Sequence, residues 1–230
     1  MYPVITLLNV SKIIMSKSRV LIVAPHADDF LIGCGGYITK YSSNIIYDIV
    51  CLAVTGSTPD TNTRLVEEQG AVKMLTDMNI RVNHKVFQSG IDTKLHTQFD
   101  SLMMYIQQTV DEHEYERIFI PYKNDSHQDH RTVHDVCIAA CRYKKNIMMY
   151  ETPSSINYRS NMYIELNEEQ AMLKQKIAAC YKSQVLGSTC KYNKYPYSIP
   201  EYVMTKLLHT GMQTRVCKYA EGYNVYRMVS

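Results

Sequence analysis

The sequence predicts an α/β protein: a Rossmann-like, doubly wound, mainly parallel sheet of core order 3-2-1-4-5, helices on both faces and a C-terminal elaboration. Three observations lead there. Short β-branched runs alternate with helix-spaced segments from residue 19 to residue 150, which calls for right-handed crossovers and a sheet covered on both sides. Two segments rich in His and Asp each begin where a strand ends. The composition is ordinary for a globular chain, with 46% apolar and 20% charged residues in 230, which is enough for a full core without staples.

Taken in order, RVLIVA (19–24) is a continuous apolar run and reads as a fully buried strand. Residues 28–40 open with two acids, as helices do. Residues 45–54 read as a second strand. Leu65, Val66, Ala71, Val72 and Leu75 repeat at helical spacing within 61–78. Residues 82–87 form a weaker third strand, 99–110 a helix, and 117–120 a fourth strand ended by Pro121. Residues 131–142 fit a helix and 147–150 a fifth strand. Beyond it, 167–183 is a helix opened by Asn167 and Gln170 in capping-box spacing. A loop rich in Tyr, Lys and Pro follows, with Tyr192, Tyr195 and Tyr197, then a helix over 199–209 and a strand over 223–228. No linker composition interrupts this, so residues 1–230 read as a single domain. Residues 1–17 read as a loose arm, with Met15 an alternative start.

Several function classes are excluded. The net charge is only +3 and no Lys/Arg block occurs, so no nucleic-acid partner is expected. No apolar run approaches the ~20 residues of a membrane span, and the N-terminus lacks a signal-peptide pattern. A cytoplasmic protein without a transmembrane segment is the expectation, and a homo-oligomer stays open. The seven cysteines contain no C-x-x-C pair and read as small buried apolar residues.

The chemistry lies in PHADDFLIGCGG (25–36) and DSHQDHR (125–131). In the predicted order the first and fourth strands are neighbours at the switch point, where ligands bind at the strands' carboxyl ends. The two segments would therefore meet. His26, Asp29 and His130 make a two-His, one-carboxylate set with an open fourth position, the pattern of catalytic zinc. A rival set pairs His130 with His134 on one helix face. Asp28, beside a ligand but pointing elsewhere, suits a general base. His127, as an imidazolium, suits stabilising an oxyanion or protonating a leaving amine. Asp129 suits orienting a histidine. The bland alternatives are that the Asp pair only caps a helix and that Gly33, Gly35 and Gly36 only permit close packing. G-C-G-G lacks the G-x-G-x-x-G spacing of a dinucleotide fold, and two Asp residues there would repel a pyrophosphate.

These residues resemble a known family. PHADDFLIGCGG is similar to the P-H-P-D-D-E-x-x-G-C-G-G signature of the LmbE-like, or PIG-L, deacetylases, and DSHQDHR to its D-x-H-x-D-H segment. Weaker matches are Arg64 with Glu67, YETPSS (150–155), KSQ (182–184) and AEGY (220–223). The resemblance runs from about residue 18 onward. It implies a zinc-dependent, or other divalent-metal, hydrolase that removes the N-acetyl group from an N-acetylglucosamine-type sugar or glycoconjugate. It implies His26, Asp29 and His130 as ligands, Asp28 as base, His127 as electrostatic or acid catalyst with Asp129 its partner, and Arg64 as a sugar or phosphate contact. A related amidase of a sugar–thiol conjugate and a silent glycan-binding homologue are the alternatives. Three positions depart from the signature: Ala27 and Gln128 replace prolines, and Phe30 replaces an acid.

Overall fold

The computed structural model describes residues 18–54, 60–183 and 197–229. Strand β1 (Ser18–Ala24) leads into helix α1 (Asp29–Lys40). Then follow β2 (Ile45–Cys51), α2 (Asp60–Asp77), β3 (Arg81–Val86) and, after a short 3-10 turn, α3 (Phe99–Glu112). Strand β4 (Arg117–Pro121), α4 (Gln128–Ala140) and β5 (Ile147–Tyr150) complete the alternation. The elaboration consists of β6 (Met162–Leu166), α5 (Glu168–Ala178), α6 (Ile199–Thr214) and β7 (Tyr219–Arg227). The sheet order is β3-β2-β1-β4-β5-β7-β6. Its first five strands are parallel, β7 is antiparallel to β5, and β6 is antiparallel to β7. The predicted 3-2-1-4-5 core is present, and the elaboration extends it by two strands.

Alternation along β1 shows how the sheet is covered. Val20, Ile22 and Ala24 face one core with α1, α2, α5 and α6, whereas Leu21 and Val23 face a second core with α3 and α4. A strand buried on both faces has no polar side, which is why RVLIVA carries none. Residues 52–54, expected within β2, lie past its end. Their N–H groups donate to the carbonyls of Ala24, Pro25 and Gly90 and so tie down the turn after β1. β6 was not expected. Its burial alternates (Met162–Leu166, with Ile164 and Leu166 buried), but five residues of one alternation are a weak signal. The helix expected over 167–183 stops at Ala178, and the backbone N–H groups of Lys182 and Ser183 turn to the Glu67 carboxylate. Tyr192 and Tyr195 lie outside the described residues, and Tyr197 stacks on Tyr202.

Helix α1 is buried from Asp29 to Thr39, and its glycines answer to named neighbours. A Cβ on Gly33 would stand 2.2 Å from the Tyr150 ring, and one on Gly36 would meet the Glu221 carboxylate at 2.9 Å. Glu221 accepts the N–H groups of Gly36 (2.8 Å) and Tyr37 (2.7 Å), and Lys174 donates to the Ile32 carbonyl (2.7 Å) and to Glu221 (2.6 Å). In an unperturbed helix the Gly36 N–H would serve that Ile32 carbonyl. A buried ion pair thus serves a donor and an acceptor in mid-helix. Removing one partner of such a pair costs about 3–5 kcal/mol, because the other charge is left buried alone. Glu221→Leu should therefore destabilise the protein by that order in urea unfolding, and Lys174→Met with Glu221→Leu should recover part of the loss.

Candidate metal centre and active site

Strands β1 and β4 pair in parallel, Val20 opposite Arg117 and Ile22 opposite Phe119, so the turns that follow them leave from the same sheet edge. One turn carries His26, Asp28 and Asp29, and the other carries Asp125, His127, Asp129 and His130. Asp28 holds the N-cap position of α1, yet its side chain makes no capping hydrogen bond. Its carboxylate pairs instead with Arg64 Nη2 at 3.2 Å. Asp29 accepts the His26 backbone N–H at 2.9 Å, which folds the turn back on itself.

Three donor atoms converge. His26 Nδ1 lies 3.1 Å from His130 Nε2, and Asp29 Oδ2 lies 3.3 Å from each. His127 adds a ring nitrogen within 4.8 Å of those of His26 and His130. His26, Asp92, His127 and Asp129 form an overlapping group of the same reach. His134, of the rival pair, instead bonds the Pro121 carbonyl through Nδ1 at 3.0 Å and lies in neither group.

A second ring of residues orients these donors. His130 Nδ1 faces Asp125 Oδ2 at 3.0 Å and Thr152 Oγ1 at 3.1 Å, a carboxylate–histidine pair that leaves Nε2 for a cation. His26 Nε2 faces Asp129 Oδ2 at 3.3 Å and Asp92 Oδ1 at 3.2 Å. Asp92 Oδ1 is buried and has no hydrogen-bond partner among the described residues. Arg64 spans Asp28 and Asp92.

The charges fit this geometry. Burial alone would raise the Asp29 pKa, but the His130 and His26 imidazoles hold it well below the usual range. Burial would lower the pKa of His130, yet the Asp29 charge and the Asp125 hydrogen bond hold it up to about 9. His26 is likewise raised, its burial outweighed by Asp129, Asp29 and Asp92. His127 goes the other way. Burial, then repulsion from His26 and His130, push it down to about 4, so this arrangement favours neutral imidazole over the expected imidazolium. Its Nδ1 accepts the Asp129 N–H at 3.2 Å, which places the proton of neutral His127 on Nε2.

The sequence expectations and the structure meet unevenly. His26, Asp28, Asp29, His127, Asp129 and His130 stand together. Asp129, expected to partner His127, touches it only through its own backbone N–H. Its carboxylate serves His26 and the N–H groups of Thr93 and Leu95. Arg64, expected as a sugar or phosphate contact or a surface partner of Glu67 or Glu68, is bound between Asp28 and Asp92. Phe30 is wholly buried in the core. Asp92 went unread, and Thr152 was given no role within YETPSS, because each lies on a loop whose place beside the site follows only from the sheet order.

Residues 21–141 match the model of the PIG-L family, described as GlcNAc-PI de-N-acetylase. The chain belongs to this family. It is 26% identical over 175 residues to the uncharacterized deacetylase YaiS of Escherichia coli (strain K12), covering 73% of this chain and 92% of that protein. Its fold is similar to the N,N'-diacetylchitobiose deacetylase of Pyrococcus horikoshii, with a TM-score of 0.72, 18% identity, and 92% and 85% of the two chains covered. It is also similar to GalB, the 4-carboxy-2-hydroxymuconate hydratase of Pseudomonas putida KT2440, with a TM-score of 0.70, 15% identity, and 93% and 98% covered. One fold thus carries different reactions, and the site must decide among them. The PIG-L assignment makes the protein a deacetylase-family hydrolase of sugar-type substrates.

The residues of this PIG-L protein fit a divalent cation. Two nitrogens and a carboxylate oxygen converge, and Asp92 sets a further carboxylate against the same histidine. The protons on His26 and His130 must leave before these nitrogens can bind a metal. Their raised pKa values, about 9 for His130, keep these protons in place through neutral pH. Zinc uptake should therefore strengthen from neutral pH up to about pH 9 with release of protons, as read by calorimetry in buffers of different ionisation enthalpy.

Proposed function

We propose that the protein is a zinc-dependent N-deacetylase that removes the acetyl group from an N-acetylglucosamine-type sugar or glycoconjugate, giving acetate and a free amino sugar. The observation that carries this is the convergence of His26 Nδ1, Asp29 Oδ2 and His130 Nε2 within 3.3 Å, beside an Asp28 that serves no cap. His26, Asp29 and His130 would hold the metal, which supplies carbonyl polarisation and an acidified water.

The chain's own residues do the rest. Asp28, steadied by Arg64, receives the proton that the attacking water gives up. His127 donates from Nε2 to the oxygen of the tetrahedral acyl centre, and a neutral donor suffices there. As the C–N bond breaks, Asp28 returns the proton to the leaving amine, and acetate and amine balance the water consumed. Asp125, Thr152 and Asp129 keep the two metal-facing imidazoles in the required tautomers.

Acetate release should be measured for the zinc-loaded protein on free, nucleotide-linked, inositol-linked and oligomeric N-acetylglucosamine compounds. Release from one class names the substrate. Silence throughout, with one zinc bound per chain, would favour an amidase of another conjugate. Asp28→Asn should lower turnover by about 10²–10⁴-fold while zinc stoichiometry stays at one. Unchanged turnover would remove Asp28 from the role. His130→Ala should lose the metal, and full retention would overturn its assignment as a ligand.

A further inference from the structure

Thr93 stands at φ 65°, in the left-handed region, where a β-branched residue is an outlier. Its side chain is exposed, so packing does not impose that conformation. Hydrogen bonds hold it. The Thr93 N–H donates to Asp129 Oδ2 at 2.7 Å and the Leu95 N–H to Asp129 Oδ1 at 3.1 Å, while Gln128 Nε2 donates to the Thr93 carbonyl. Gln128 is exposed too. Strained backbone of this kind persists only where its surroundings over-determine it, and it clusters at functional sites.

The strain has a neighbour. Asp92 directly precedes Thr93, and its Oδ1 lies 3.2 Å from His26 Nε2. The same Asp129 Oδ2 that binds the Thr93 amide lies 3.3 Å from that nitrogen. The Asp129 carboxylate hydrogen-bonds that ring atom and the Asp92 carboxylate stands within ion-pair reach of it, both held by one short loop. An imidazole whose Nε2–H is held by a carboxylate presents the lone pair of Nδ1 on its other side, and here Nδ1 faces Asp29 and His130.

We propose that Thr93 and Gln128 are positioning residues for the metal centre: they latch residues 92–95 onto the first turn of α4, so that Asp92 and Asp129 together fix His26 with Nδ1 toward the metal. This rests on the reading of His26 as a ligand. Neither residue touches the ion or the substrate. Their effect passes through the carboxylates behind the ring, where lost partners typically weaken metal binding by about 10–100-fold.

The test uses the full chain with Gln128→Leu and, separately, Thr93→Pro, which removes the amide donor and cannot take φ 65°. Zinc affinity is measured by chelator competition. Amide exchange at Leu95 and thermal melting of the metal-free protein are followed in parallel. The expected result is zinc binding weaker by about tenfold in Gln128→Leu and up to about 100-fold in Thr93→Pro. Leu95 exchange should be faster and melting unchanged. Wild-type zinc affinity in both variants despite faster Leu95 exchange would overturn the latch while leaving the metal site standing. A melting temperature that falls in step with affinity would also overturn it, as a merely structural effect. Should Thr93→Pro not fold, Gln128→Leu alone decides. A wild-type protein that binds no zinc overturns the reading of His26 as a ligand, and the latch with it.

Discussion

Helix α1 is buried around its whole circumference, and the rest of the structure depends on how a polar backbone is accommodated there. Three glycines let Tyr150, Lys174 and Glu221 approach its axis, and the Lys174–Glu221 pair serves backbone groups in mid-helix. Lys174 comes from α5 and Glu221 from β7, so the elaboration belongs to the core and not to its surface. The first turn of this helix carries Asp28 and Asp29. Anything that shifts α1 along its axis moves the proposed general base and a proposed ligand together.

The site resolves a charge problem in a dry place. Asp28, Asp29, Asp92, Asp125 and Asp129 crowd around three imidazoles and one guanidinium. Protons on His26 and His130 offset part of this negative charge, and the carboxylates that face the two rings are what raise their pKa values. Arg64 is spent on Asp28 and Asp92. His127 escapes the same fate because burial, then the neighbouring imidazoles, lower its pKa, and its Nδ1 is committed to the start of α4. In the proposed function one ring is a donor and its two neighbours are ligands, and the difference lies in which partner each second nitrogen meets.

Much of this was legible in the sequence because ligands that follow a strand are local to it. Once β1 and β4 are read as neighbours, PHADD and DSHQDH must meet. The alternation of strands and helices was strong enough to place nearly every element. What failed to show was long-range. Asp92 follows a weak strand whose own pattern is barely apolar. Thr152 lies in a loop that reaches His130 only through the pairing of β4 with β5. Lys174 looked like any lysine on an amphipathic helix, since nothing local shows that its Nζ ends in the core. That the Asp129 carboxylate reaches His26 did not show, because two histidines lie within reach in space and only one is near in sequence.

The position of β7 bears on how the protein is made. It is the last strand of the described chain, yet it lies inside the sheet between β5 and β6. Until it leaves the ribosome, β5 is an open edge, β6 has no neighbour, and Lys174 waits without Glu221. The parallel core can collapse early, but the contacts that seat α1 span about 185 residues and come last. Such long-range closure is slow and leaves strand edges open to mispairing. Biosynthesis therefore passes through a state in which both His- and Asp-bearing turns exist and the helix under one of them is not yet locked.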